Sequence, residues 1–163
     1  MDLTTTQAAW FLPAVAPICI YVAYSDLRSM KIPNKAVLAL IAVFAVIGLI
    51  ALPLDVWAWR WVHLVALLVA GVVANAVGLM GAGDAKFIAA AAPFVSRQDA
   101  PMMMYILAAA ILIGVGLHRV AKYTALRKLA PNWESWSTGK RFPMGFPLGM
   151  ALIAYLIAPF IAA

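Results

Sequence analysis

Apolar residues run almost without a break over residues 8–24, 36–52, 62–80, 102–117 and 146–162, with a shorter run over 85–95. A helix needs about 20 apolar residues to cross a bilayer, within a range of roughly 17–25. The runs are continuous rather than alternating, so they read as helices and not as barrel strands. The fourth is short for a crossing. It follows Gly81-Ala82-Gly83-Asp84 and carries Pro93 near its end. Irregular backbone at 81–84 together with the helix covers the thickness, provided protein or water surrounds that backbone. The pattern predicts an all-α membrane protein of six transmembrane helices with a short fourth span, folded as one membrane-embedded domain over residues 1–163.

Composition supports the bilayer as solvent. Hydrophobic residues make up 66% of the chain and charged residues 11%, against roughly 25% charged in soluble domains. The net charge of +6 raises nucleic acid as a partner, but no soluble basic face exists to carry such binding. The loops account for the charge instead. With the N-terminus outside, the inside loops are 25–35, 81–86 and 118–141. They hold Arg28, Lys31, Lys35, Lys86, Arg119, Lys122, Arg127, Lys128, Lys140 and Arg141, whereas the outside loops hold only Arg60 and Arg97. This imbalance places both termini outside and makes the number of spans even. Trp10, Trp57, Trp59 and Trp61 fall at outside span ends, and Trp133 and Trp136 in the long inside loop, as interfacial anchors do. The basic residues of that loop suit anionic lipid. Residues 1–7 carry no Lys or Arg, so no cleavable signal peptide is expected. The single cysteine, Cys19, lies inside an apolar run and reads as packing.

Chemistry narrows to the acidic residues. Asp2, Asp55 and Asp99 fall outside and read as solvated loop groups, and Glu134 lies in the long inside loop. Asp26 and Asp84 each abut an apolar run at the inside face, and an ionisable group there marks a functional site by default. The glycines before Asp84 permit close backbone approach. After Asp26, Pro33 disfavours helix just before it, and Asn34 reads as the N-cap of the second span. Two carboxylates brought together share a proton, which suits water-mediated attack on a peptide carbonyl. His63 and His118 lie at opposite faces, so a histidine metal site lacks ligands. Neither a metal nor another cofactor is expected.

Asp26 with Ile32-Pro33-Asn34, followed by Gly81-Ala82-Gly83-Asp84-Ala85-Lys86, resembles the type IV prepilin peptidases. These are membrane aspartyl proteases of the Gly-x-Gly-Asp class, which remove the basic leader from prepilins at the cytoplasmic face of the bacterial inner membrane. The resemblance covers nearly the whole chain. It implies Asp26 and Asp84 as the catalytic pair, Gly81, Gly83 and Lys86 as the active-site loop, and prepilins as substrates. Pro33, Asn34, Pro143 and Gly145 match substrate-binding or structural motifs. Pro147-Leu148-Gly149 repeats the Pro-x-Gly pattern of Pro143-Met144-Gly145 and leaves its alignment open. The chain has no cysteine cluster or extra N-terminal region of the bifunctional members, so it resembles the compact, peptidase-only branch of tight-adherence (Flp-type) pili. An archaeal-type preflagellin peptidase is a related alternative. A carboxylate-relay transporter and a non-catalytic pilus assembly subunit are the alternatives from other classes.

Overall fold

The computed structural model describes residues 1–139 and 141–162, and those residues form helices and turns without a strand. Six α-helices follow one another: α1 Thr5–Ser29, α2 Asn34–Ala51, α3 Leu54–Ala76, α4 Ala82–Ala91, α5 Ala100–Tyr123 and α6 Gly145–Ala162. All except α4 are long and apolar enough to cross a membrane. α4 has ten residues, extended by a 3-10 turn at Ala92–Phe94. Ten residues rise only about 15 Å, so this helix by itself does not cross the hydrocarbon core. The segment expected as a short fourth span is thus a short helix beside five full-length candidates. Lys140, one of the inside-loop charges, lies outside the described residues, as does Ala163.

α3 begins at Leu54, several residues ahead of the expected start. The cause is Arg60. It is 3% exposed and donates to the carbonyls of Pro93 and Phe94 at 3.3 Å each. Those carbonyls are freed where the fourth helix ends, and a buried donor satisfies them where no water can. Reading Arg60 as an outside-loop charge is therefore corrected.

α1 lies at the centre of the bundle, packed on α6 and α2, while α3 packs on α4 and α5 on α6. The core gathers at the α1–α2–α4 junction. Phe94 meets Phe11 and Phe44 edge-on, with ring centroids 5.2 and 5.5 Å apart. Trp57 is held there too, its indole N–H donating to the Phe44 carbonyl. α1 and α6 approach closely at Gly149, where a Cβ would come 2.8 Å from the Cys19 carbonyl oxygen.

One end of the bundle is tied by a second polar cluster. Asp99 is buried and accepts from the Asp2 and Leu3 N–H groups at 2.8 and 3.0 Å and from the Tyr155 hydroxyl at 2.9 Å. The Ser96 hydroxyl donates to the Asp2 carboxylate, and the Ser96 N–H to Tyr155. Burial alone would raise the Asp99 carboxyl. The two N–H groups and the Tyr155 hydroxyl outweigh it and hold the group below the usual carboxylate range. The expectation that Asp99 is solvated is corrected, because the chain's first residues fold back over the loop before α5, whereas Asp2 stays exposed as its carboxylate accepts from Ser96. The long loop also departs from expectation. α5 ends at Tyr123, and 3-10 turns at Ala125–Leu129 and Glu134–Trp136 follow. Trp136 is 5% exposed, stacked on His118 and Trp133, so it packs the loop onto α5 rather than anchoring freely.

The close approach at Gly149 gives a direct test. Gly149→Ala is expected to destabilise by about 1–3 kcal/mol, because the added methyl meets backbone that cannot turn aside. Gly116→Ala, where a Cβ meets nothing within 4 Å, is expected to be neutral or slightly stabilising. Thermal unfolding of the two variants in detergent checks the contrast.

Candidate active site

At the end of the bundle opposite the Asp99 cluster, the last turn of α1, the α1–α2 turn, the start of α4 and the start of α6 enclose a cavity of about 730 Å³. Asp26 and Asp84 both line it, with Ile32, Lys86, Arg141 and Met144 among the surrounding side chains. The two carboxylates singled out from the sequence thus open into one space.

Asp26 lies in the last turn of α1, 5% exposed. Its backbone carbonyl accepts the Met30 N–H at 2.9 Å, which closes the helix with Met30 in the left-handed conformation. Its side chain turns the other way. Oδ2 accepts the Gly145 N–H, the first of α6, at 2.6 Å. A helix N-terminus offers unpaired N–H groups and a positive dipole end, both favourable to a carboxylate. A Cβ on Gly145 would come 3.0 Å from both Cβ and Oδ2 of Asp26, so glycine is what allows the contact. The two Pro-x-Gly copies differ in what they touch. Pro143 is buried just ahead of α6 and Gly145 holds Asp26, whereas Gly149 packs against Cys19, away from the cavity.

Asp84 is the third residue of α4, ahead of the apolar run that follows, with Gly81 as the N-cap. The Gly81 N–H donates back to the Asp84 carboxylate, the reciprocal half of a capping box. A Cβ on Gly81 would sit 2.7 Å from Asp84 Oδ2, which explains the glycine. Gly83 faces Ile32 of the α1–α2 turn, where a Cβ would come 3.4 Å from the Ile32 Cβ. The close pairing of α3 and α4 fixes the helix that carries Asp84, for a Cβ on Gly71 would meet the Ala85 Cβ at 2.8 Å. Burial, and then the charge of Asp26, push the Asp84 carboxyl up to about 6, against the opposing pull of the Gly81 N–H.

Lys86 reaches across to α2, donating to Asn34 Oδ1 at 3.3 Å. Asn34 is therefore the first residue of α2 and a partner of Lys86. The N-cap is Pro33, whose carbonyl accepts the Ala36 and Val37 N–H groups. Every residue of the expected site thus sits at this end of the bundle, but they divide by task. Asp26 and Asp84 present carboxylates to the cavity, Gly81 and Gly145 supply N–H groups to them, Asn34 and Lys86 tie α2 to α4, and Pro33 caps α2. Arg141, Phe142 and Met144 also line the cavity and were not expected there as site residues. Their signal was their place just before and beside the Pro143-x-Gly145 element. Two carboxylates opening into one cavity, with the Asp84 carboxyl raised toward neutrality by burial and by the charge of Asp26, form a general acid–base arrangement.

A family model described as the type IV leader peptidase family matches residues 14–118, well over half of the chain. The stretch includes both aspartates and ends before Gly145. No curated protein and no solved structure matches the chain.

The raised Asp84 carboxyl makes a pH-dependent contribution of known sign. A group whose folded pKa lies above its unfolded value stabilises fold below the unfolded pKa, and that contribution is lost as pH rises through the folded one. The wild-type thermal midpoint is therefore expected to fall between about pH 4 and pH 6 relative to that of Asp84→Asn. A parallel dependence in the two proteins, read by thermal unfolding across that range, counts against the buried pair. Gly145→Ala tests the other carboxylate. It is expected to lower activity at least tenfold while helicity by circular dichroism stays unchanged.

Proposed function

Because the chain belongs to the type IV leader peptidase family, we propose that it is an aspartyl endopeptidase that removes the basic leader from type IV, Flp-type prepilins. The observation that carries the reading is the convergence of Asp26 and Asp84 on one cavity, with the Gly145 N–H on Asp26. In the proposed reaction one carboxylate is ionised and takes a proton from water. That water attacks the scissile carbonyl carbon. The protonated partner donates to the carbonyl oxygen as the tetrahedral intermediate forms, and the proton held by the dyad passes to the leaving amine as the C–N bond breaks. General acid–base help of this kind contributes roughly 10²–10⁴-fold. The pair titrates as a unit, so the two roles belong to the dyad rather than to either residue.

The reading also assigns a side. Arg28, Lys31, Lys35, Lys86 and Arg141 cluster around the carboxylate end of the bundle, while the Asp99 cluster occupies the other. By the positive-inside rule the carboxylate end faces the cytoplasm of the inner membrane, and both termini lie outside in a six-crossing arrangement. The long loop 118–141 then lies against anionic headgroups. A carboxylate relay for transport would place its groups near mid-membrane on broken helices. Here they sit at helix ends on one side.

Asp26→Asn and Asp84→Asn are each expected to abolish prepilin cleavage with protein levels unchanged. Co-expression with a prepilin, scored by mobility shift, checks this, and retained cleavage in either variant excludes the dyad.

A further inference from the structure

A second, apolar cavity of about 390 Å³ opens on the side of the bundle. Its walls are α3 and α5, which stand apart, each packed on a different neighbour, and its floor is α4. Leu67 projects from one wall and Met104 from the other, 41% and 65% exposed. Along the floor, Ile88, Ala91 and Val95 face the groove. Ile88 and Ala91 stand four and seven residues after Asp84, a single stripe on α4, and Val95 continues the floor beyond the 3-10 turn. The stripe that lines the groove therefore begins at Asp84.

The start of α6 repeats the relation. Met144, just ahead of the helix, lines the carboxylate cavity, and Leu148, whose N–H donates to the Met144 carbonyl, lines the groove. The groove and the carboxylate cavity are thus neighbouring spaces, lined at one-turn spacing along α4 and around the start of α6. The groove is almost wholly apolar and the cavity holds the charged groups.

We propose that the groove between α3 and α5 is the lateral docking site for the apolar helix of the peptidase's membrane-inserted substrate, an inference that rests on the peptidase reading above. A single helix lying along α4, its flank between Leu67 and Met104, carries its polar end to Asp84. The apolar floor matches the substrate's apolar segment, and the change to charged groups at Asp84 matches the junction where that segment meets its leader. A lipid chain alone, or a second copy of this chain, would have no reason to share its floor with the carboxylate.

The test is site-specific photocrosslinking in membranes that contain a prepilin, in the Asp84→Asn chain so that substrate stays uncleaved. The photoreactive residue p-benzoylphenylalanine replaces Leu67 or Met104, and Val46, 63% exposed on α2, serves as control. Prepilin adducts at 67 and 104 at least fivefold above those at 46 are expected. Cleavage of the same prepilin by the wild-type chain is scored in parallel. Cleavage accompanied by adducts only to lipid or to a second copy, or by equal adducts at position 46, overturns the docking site and leaves the peptidase reading standing. Absence of cleavage by the wild-type chain overturns both.

Discussion

A hydrogen bond between residues 119 positions apart, from the Gly145 N–H to the Asp26 carboxylate, joins the first helix of the chain to the last. Neither group could be left alone. A carboxylate in the last turn of an apolar helix faces the negative end of that helix's dipole, and a buried helix start has N–H groups without partners. Each solves the other's problem, and glycine at 145 is the condition, since any Cβ there would press on the carboxylate it serves. The bond aligns α1 and α6 so that, one turn on, Gly149 settles against Cys19. Asp84 is then brought to the same space by α4, which is wedged among α2, α3 and α6.

The opposite end of the bundle repeats this logic with different residues. Asp99 collects donors from the first residues of the chain and from α6, and Arg60 supplies donors to the carbonyls left open where the fourth helix ends. In water such groups would be solvated separately. In a bilayer they must find one another. The two ends also divide the work. The Asp99 cluster is closed and fully partnered, which suits a tie, while the Asp26–Asp84 end keeps an open cavity beside its carboxylates, which suits chemistry.

The sequence carried the helices, the two aspartates and the family because each signal was local. A carboxylate is rare beside an apolar run, and Gly81 to Lys86 is a contiguous motif. Partnerships over long distances were not legible. Arg60, Asp2 and Asp99 counted as outside charges because nothing near them in sequence shows that Pro93, Tyr155 or Leu3 will meet them. The two Pro-x-Gly copies were equivalent as strings, and only packing distinguishes Gly145 on a carboxylate from Gly149 on a backbone carbonyl. Trp136 read as an anchor since composition places tryptophan at interfaces, whereas its ring stacks on His118.

The ten-residue length of α4 has a consequence for water. A typical hydrocarbon core is about 30 Å deep, and a helix rising about 15 Å fills only part of that depth. Because α4 is wedged among α2, α3 and α6, the depth it leaves unfilled is bordered by protein rather than by lipid. The cavity at its start gives the irregular backbone ahead of Asp84 a polar space in place of hydrocarbon. Helix length, a property counted in residues, thereby leaves room for a wet carboxylate within an apolar bundle.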